Sequence, residues 1–320
     1  LGSKRPHQPL FNPMRCHDLY PLAEARLPEV PEHDLIDLPH RAKQLALYPR
    51  TSGRHQTVVK YGQWQNAVSS YLASVSFVDE LIGDLIKALE QHRLIDNTWI
   101  VLWSDHGWHL GEKSHWGKAT GWYRSTRVPF LIVPPMGQKQ FKKSEQVKNM
   151  VNLLDLAPTM ADIAGIPKSP KWEGRSLMPI LKQEAENWEE ATLTTFSIGS
   201  HTISTPHWQL ISYFDGSDEL YDMVNDPNQF FNLAQQPQKT QMINQLKKYI
   251  PEESRWNYFI RYKDYKILVP KKGDIQVFDQ ILEGRNDEDI AAEVPGLVKK
   301  ILGYIEENKP QQKKFTIDVL

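Results

Sequence analysis

The chain has 320 residues, enough for one large α/β domain and a smaller second domain. Its 40% hydrophobic and 24% charged residues are typical of a globular protein and exclude an intrinsically disordered chain. The formal net charge of -1 gives no basic surface for nucleic acid or an anionic membrane. We therefore expect neither kind of partner.

The cysteine content and the lengths of the apolar segments exclude further classes of protein. Cys16 is the only cysteine, which excludes an internal disulfide and any cysteine-based zinc site. No apolar run is long enough to cross a bilayer. The chain begins with Leu1 rather than Met, so the lack of a visible targeting sequence says nothing about its compartment.

The first third of the chain changes from loop to helix. Prolines on both sides of His7 predict a stiff loop that presents this side chain. Residues 13–60 are Pro-rich and predict a long irregular surface segment. Apolar residues then recur at steps of three and four over 63–92, which predicts an amphipathic helix.

Two short apolar runs, 98–104 and 128–133, predict strands buried on both faces, joined to the preceding helix in a unit of the parallel kind. Residues 147–151 predict a further short strand. An acidic residue before the first turn and a terminal glycine predict a helix over 155–165. We place the boundary of this α/β part near residue 185.

The second part, residues 186–320, is predicted to be a smaller α+β subdomain. Strand-like runs at 191–198, 201–204, 208–213 and 219–222 alternate with turns, which is typical of a small antiparallel sheet. A helix over 239–249 follows. Runs at 265–268 and 276–279 and a helix over 294–308 repeat this pattern weakly, and chance similarity explains the repeat about as well as duplication does.

The polar loop between the runs 98–104 and 128–133 carries most of the reactive side chains. Asp105 and His106 stand where the first strand stops, and Gly107 allows the backbone to bend there. A carboxylate and an imidazole in this place form half of a metal site. The alternative is an N-cap aspartate beside a hydrogen-bonded surface histidine, and the isolated pair favours this alternative.

Lys118 lies in the same loop, about a dozen residues further on, and the loop also contains His109, Lys113 and His115. An ammonium near a metal suits a tetrahedral oxyanion substrate, because the two cations together neutralise several oxygens. A solvated lysine-rich loop explains the spacing equally well. His7, taken alone, is more typical of a structural hydrogen-bonding residue than of an acid catalyst.

Taken whole, residues 104–118 (SDHGWHLGEKSHWGK) are far more specific than their parts. They resemble the second signature region of the formylglycine-dependent sulfatases, closest to the branch of iduronate-2-sulfatase and choline-sulfatase-like enzymes. Further similar segments follow in order along the chain: RPHQP at 5–9, YLASVSFVD at 71–79, NLLDLAPT at 152–159, EGRSLMP at 173–179, ELYDMVNDP at 219–227 and NLA at 232–234.

This resemblance implies an alkaline-phosphatase-like α/β fold with a central mixed or parallel sheet, flanked by helices, and an antiparallel sheet in the C-terminal subdomain. It implies a sulfuric ester hydrolase that uses Ca²⁺ and a formylglycine to act on a sulfated sugar or small alcohol sulfate. Asp105 and His106 would bind the metal, while Lys118 and His7 would be catalytic and contact the sulfate. We also expect His109 and His115 to bind substrate.

Two departures from the family pattern leave alternatives open. No Cys/Ser-x-Pro-x-Arg segment, the source of formylglycine, occurs in these residues, and we expect it in an N-terminal half of the family that they do not represent. We therefore expect the chain to be inactive, and poorly soluble or oligomeric, unless that half is supplied by another chain. A truncated, non-catalytic protein that binds sulfated glycans is one alternative.

His106 is the second departure, because it stands where many sulfatases have asparagine, and imidazole is a poor ligand for calcium. It favours Zn²⁺ or Mn²⁺ and a related phosphodiester or phosphonate hydrolase. The resemblance also implies a periplasmic, extracellular or lysosome-like location.

Overall fold

The computed structural model describes residues 2–47, 54–138, 141, 146–185, 188, 191–197, 199–251, 258–262, 265–269, 276–279, 291–307 and 318–319. Its helices are α1 Met14–His17, α2 His40–Leu47, α3 His55–Lys60, α4 Trp64–Gln91, α5 Tyr123–Thr126, α6 Leu156–Ala164, α7 Met178–Leu181, α8 Thr240–Leu246 and α9 Pro295–Glu307. Its strands are β1 Ile100–Trp103, β2 His109–Leu110, β3 Trp116–Gly117, β4 Phe130–Val133, β5 Thr192–Ser197, β6 Ser200–Ser204, β7 Trp208–Ser212, β8 Asp218–Asp222, β9 Tyr258–Tyr262, β10 Tyr265–Val269, β11 Gln276–Asp279 and β12 Asp318–Val319.

The long helix α4 confirms the periodicity of the sequence to within a residue at each end. Its first half is buried through Val68, Ala73 and Ser74. Asn12 anchors the N-terminal segment on this half, donating to the Ser74 hydroxyl at 2.7 Å. The loop that carries His7 is therefore attached to the start of α4.

The strands around the polar loop differ from the prediction. β1 and β4 pair with each other in antiparallel register, with Val101 opposite Ile132. They are not buried on both faces, since Trp103, Leu131 and Val133 are 47–48% exposed. The chain returns directly alongside β1 after the loop as its antiparallel partner. Trp103 lies on one face of this pair and Leu131 and Val133 on the other, so each face has exposed apolar side chains.

Two further local predictions were wrong. Residues 13–60 contain α1, α2 and α3 rather than only irregular structure, and residues 147–151 form no strand. The 155–165 helix is confirmed as α6, which ends at Gly165 in the left-handed conformation. A capping box between Asn152 and Asp155 begins this helical segment.

The antiparallel sheet expected in the C-terminal part is confirmed, with strand order β5-β6-β7-β8. Neighbouring residues of a strand point to opposite faces of a sheet, and both faces of this one are covered. Leu210 and Leu220 pack on α8. Ile211 and Tyr221 belong to a cluster with α2 and Trp122, so the sheet lies directly against the polar loop.

The later strands β9 to β12 form a second sheet in the order β11-β10-β9-β12, and α9 corresponds to the helix expected over 294–308. The division of the chain at residue 185 stays a prediction. Among the described helices, none is both long and apolar enough to span a membrane.

Candidate active site

Gly107 fixes the geometry just beyond the end of β1. Its N–H donates to the carbonyl of Ser125 at 2.9 Å. A Cβ at this position would collide with the carbonyl oxygens of Arg124 and Arg127. Only glycine lets the backbone pass this close to α5, and the contact holds Asp105 and His106 where β1 ends.

His106 and Lys118 meet directly. The Nδ1 of His106 lies 2.8 Å from the Gly107 carbonyl, to which it must donate a proton. In the neutral ring Nε2 is then an acceptor, and the Lys118 ammonium donates to it at 2.7 Å. Both side chains are half-buried. Two side chains that are 12 positions apart in the sequence therefore belong to one site.

Asp105 completes this group. Its Oδ2 lies 3.6 Å from His106 Nε2, and its side chain is 83% exposed. The predicted convergence of Asp105, His106 and Lys118 is therefore present. An oxygen and an imidazole nitrogen side by side can supply two ligands to a divalent cation. Within the described residues, no group of three or more His, Cys, Asp or Glu side chains could hold a metal.

Trp108 connects His7 to this group. Its ring centroid lies 6.2 Å from that of His106 and 6.5 Å from that of His7. Tyr71 of α4 stacks on the same indole at 6.3 Å. The periodicity of α4 does not reveal that Tyr71 lies beside the site. The four rings form a continuous surface next to Lys118.

An open groove begins at His7 and follows the start of α4. It encloses about 570 Å³ and is lined by His7, Gln8, Pro9, Leu10, Gln63, Asn66, Ala67 and Ser70. Amide and hydroxyl groups can both donate and accept hydrogen bonds. None of the lining residues is a lysine, arginine, aspartate or glutamate. The groove therefore suits a neutral, hydroxyl-bearing ligand.

His109 and His115 lie under the loop and not at a substrate surface. They are 0% and 1% exposed. His109 contacts the Thr120 hydroxyl at 3.0 Å and the Glu112 carbonyl at 3.2 Å. His115 contacts the carbonyls of Ala46 and Lys118, both at 3.1 Å. Because protein groups occupy both nitrogens of each ring, the structure assigns them to supporting the loop rather than to the expected substrate binding.

Lys113 was not anticipated as a buried cation. Its Nζ lies 2.6 Å from Asp34 Oδ1, both side chains are 3% exposed, and it also donates to the Gln229 carbonyl. Burial raises the pKa of Asp34, and the Lys113 charge opposes that rise. Asp34 precedes Lys113 by 79 positions, so no local pattern of the sequence reveals the pair.

Glu219 is the second buried charge that the sequence did not reveal. Its carboxylate accepts hydrogen bonds from Tyr213, Tyr221 and the Trp122 Nε1, the last at 2.9 Å. Burial raises its pKa, while the three donors lower it. The same burial and the neighbouring carboxylate raise the pKa values of both tyrosines well above 10. The Glu219 carboxylate therefore connects Trp122 of the polar loop to strand β8 of the C-terminal sheet.

Comparison with known families gives two overlapping matches. The family described as "Sulfatase" matches residues 1–166, and "N-sulphoglucosamine sulphohydrolase, C-terminal" matches residues 111–256. The loop that carries Lys118 falls within both matches.

Individual relatives give the same result. A protein named "Sulfatase" from Formosa agariphila is 31% identical over 276 residues, which cover 85% of this chain and 53% of the relative. Iduronate 2-sulfatase of Mus musculus is 28% identical over 307 residues, covering 84% and 50%. The chain spans about half the length of these relatives.

Two solved structures share the fold. The phosphonate monoester hydrolase SpPMH from Silicibacter pomeroyi has a TM-score of 0.64 and 25% identity, with 77% of this chain and 53% of that chain covered. BT4656, solved in complex with its substrate D-glucosamine-2-N,6-O-disulfate, has a TM-score of 0.52 and 27% identity, covering 62% and 44%. The alkaline-phosphatase-like α/β fold expected from the sequence is confirmed.

Proposed function

Because this chain belongs to the sulfatase family, we propose that it supplies part of the active site of a hydrolase that cleaves sulfate esters of sugars. The reaction adds water across the ester and gives the free alcohol and hydrogen sulfate. The observation that carries the proposal is the contact of Lys118 with His106, beside the Asp105 carboxylate. A cation-binding pair and an ammonium group there meet the needs of an oxyanion substrate.

Asp105 and His106 are proposed to bind a divalent cation, Ca²⁺ by analogy with the family. Such an ion, when bound, polarises a sulfate oxygen. The exposed Asp105 carboxylate suits calcium, while the His106 imidazole better suits Zn²⁺ or Mn²⁺. Metal analysis of the purified protein distinguishes these ions.

Lys118 is proposed to bind the sulfate oxygens through its ammonium. The single acceptor lone pair of His106, on Nε2, accepts from Lys118 in the described arrangement. Cation binding at His106 therefore requires the ammonium to turn from the imidazole to the sulfate oxygens beside it. His7 is proposed to bind the sulfate or to protonate the departing alcohol. Its Nδ1 lies 2.7 Å from the Gln8 carbonyl and donates to it, so Nε2 has a proton for that task when the ring is an imidazolium.

The groove at the start of α4 supports a sugar as the alcohol. Gln63, Asn66 and Ser70 provide hydrogen-bonding groups without formal charge, and a sugar ring carries hydroxyl groups that can pair with them. A similar solved structure, BT4656, holds a sulfated glucosamine as its substrate. No Cys/Ser-x-Pro-x-Arg motif occurs in the 320 residues, so the nucleophile is assigned to none of their side chains.

The test uses the full gene product that contains these residues. It is incubated with 4-nitrophenyl sulfate, sulfated glucosamine and sulfated iduronate, and released inorganic sulfate is measured by ion chromatography. We expect release that is lost in Lys118→Ala and retained in the control Lys171→Ala, an exposed lysine outside the loop 104–127. No release from any of these sulfate esters would contradict the proposal.

A phosphonate or phosphodiester hydrolase is the second candidate, favoured by the His106 imidazole and by the similarity to SpPMH. It predicts faster turnover of a phosphonate monoester than of the matching sulfate ester. The ratio of the two kcat/KM values, measured on one enzyme preparation, decides between the candidates.

A further inference from the structure

We propose that Glu219 is a positioning residue that holds the Lys118 loop, residues 109–122, in its working conformation. It acts on the site through Trp122 and therefore from the C-terminal sheet, far away in the sequence. This inference rests on the proposed function, since it is Lys118 whose placement is controlled.

The end of the loop is fixed at Glu219. The Trp122 indole is 1% exposed, and its Nε1 donates to Glu219 Oε2 at 2.9 Å. One residue earlier, the Gly121 carbonyl accepts from the Thr202 hydroxyl of β6 at 2.7 Å. One residue later, Tyr123 N donates to the Gln229 side chain at 2.8 Å. Three successive residues are thus attached to the C-terminal sheet and the segment beyond it.

The middle of the loop is fixed by a second buried group. Lys113 pairs with Asp34 and donates to the Gln229 carbonyl, while its Nζ lies 5.4 Å from the centre of the Tyr221 ring. Tyr221 is in turn a donor to Glu219. The two anchors therefore share Tyr221 and Gln229, and they form one continuous buried network.

Lys118 lies between these anchors, in a segment whose backbone has several positive φ angles. Lys113, Ser114 and Ala119 have φ values of 57°, 49° and 67°, and Gly117 has a φ of 126°. Non-glycine residues rarely adopt positive φ, and such conformations persist only where the surrounding structure holds them. The conformation that presents Lys118 is therefore maintained by contacts outside the loop.

A carboxylate is the group that position 219 requires. Oε1 accepts from Tyr213, and Oε2 accepts from both Tyr221 and Trp122. An ionised carboxylate only accepts hydrogen bonds, so it satisfies all three donors at once. Glutamine has nearly the same shape but replaces one oxygen with an NH₂ donor, which then faces at least one of the three. Glu219→Gln changes the hydrogen bonding with little change in volume.

The experiment compares Glu219→Gln with Leu246→Ala in the full gene product. Leu246 packs on the opposite face of the same sheet, in the cluster with α8, and touches no residue of the site. Its truncation lowers the unfolding temperature without reaching the loop. Both variants are studied well below their unfolding transitions, by amide hydrogen exchange and by sulfate ester kinetics.

We expect Glu219→Gln to speed exchange at 113–119 and to lower kcat about 10²-fold, the usual effect of misplacing a reacting group by about 1 Å. Leu246→Ala should change neither. Unchanged exchange in 113–119 for Glu219→Gln, or equal loss of kcat in both variants, would overturn the inference. Absence of turnover in the unmodified enzyme would refute the proposed function instead, and the exchange data would still decide this inference.

Discussion

Lys113 and Lys118 belong to the same loop but differ in almost every physical property. Lys113 is 2% exposed and is surrounded by a carboxylate, a backbone carbonyl and an aromatic ring. Lys118 is half-buried and its ammonium donates to one imidazole. A cation whose hydrogen bonds are all satisfied by the interior has no donor left for a ligand, whereas one with donors to spare near the surface can bind an anion.

The strongest test of this difference is the substitution Lys113→Met. It leaves Asp34 buried without its cation, which typically costs about 3–5 kcal/mol. We expect a drop of that size in the free energy of unfolding, measured by urea denaturation. Lys118→Met should change the same quantity by no more than about 0.5 kcal/mol, because that side chain is partly exposed.

The double variant Lys113→Met with Asp34→Leu sharpens the same test. Replacing a buried ion pair with apolar side chains of similar size is often neutral. We therefore expect the double variant to recover most of the stability lost in Lys113→Met. If both variants are equally destabilised, the stabilising element is the local packing and not the charge pair.

Lys118→Met is expected to give the opposite result, with a large loss of activity and a small loss of stability. Removing one donor to a developing oxyanion typically costs 10²- to 10³-fold in kcat, or about 2.7–4 kcal/mol. Steady-state hydrolysis of a sulfate ester by the full gene product measures it. A similar loss of kcat in Lys113→Met, at a temperature where it stays folded, would remove the distinction between the two lysines.

Some features of this loop and of the fold around it could be predicted from the sequence. One site for Asp105, His106 and Lys118 was predicted from the resemblance of the whole segment 104–118 to a family signature, since the spacing alone left a solvated loop equally possible. The helix α4 and the C-terminal sheet followed from periodicities of 3.6 and 2. Local pattern and short-range geometry determine these features, so they were predictable.

Glu219, Asp34 and the buried histidines were not predictable in the same way. Glu219 lies in β8 and pairs with Trp122 over an interval of 97 positions, which no local pattern of the sequence reveals. His109 was expected to bind substrate, yet Thr120 and Glu112 occupy its nitrogens. Burial depends on long-range packing, which residue types alone do not specify.

Substitution of Gly107 should have an effect on stability between those of the Lys113 and His109 substitutions. A Cβ there collides with the carbonyls of Arg124 and Arg127, and overpacking of this kind typically costs about 1–3 kcal/mol. We expect Gly107→Ala to lower both the unfolding temperature and the kcat, since α5 and His106 must move apart. Gly83→Ala in α4 is the control, because nothing lies near its Cβ and alanine favours a helix.

The smallest expected effect concerns the buried His109. Burial lowers its pKa well below 6.5, and the nearby charges of Lys113 and Arg124 act in the same direction. The unfolded chain binds a proton at this histidine below about pH 6.5, while the folded protein does not. Stability is therefore full above that pH and falls as the pH drops, by at most about 1.4 kcal/mol per pH unit for this group.

Replacing His109 with glutamine removes this proton uptake. We expect urea denaturation at pH 7.5 and 5.5 to show a smaller loss of stability in His109→Gln than in the unmodified protein, with the exposed His207→Gln unchanged. Asp34 and Glu219, whose pKa values burial raises, act with the opposite sign, but they are present in every variant and cancel in the difference. An equal loss in His109→Gln and in the unmodified protein would mean that His109 takes up its proton as readily in the folded protein as in the unfolded chain, which would contradict a pKa lowered by burial.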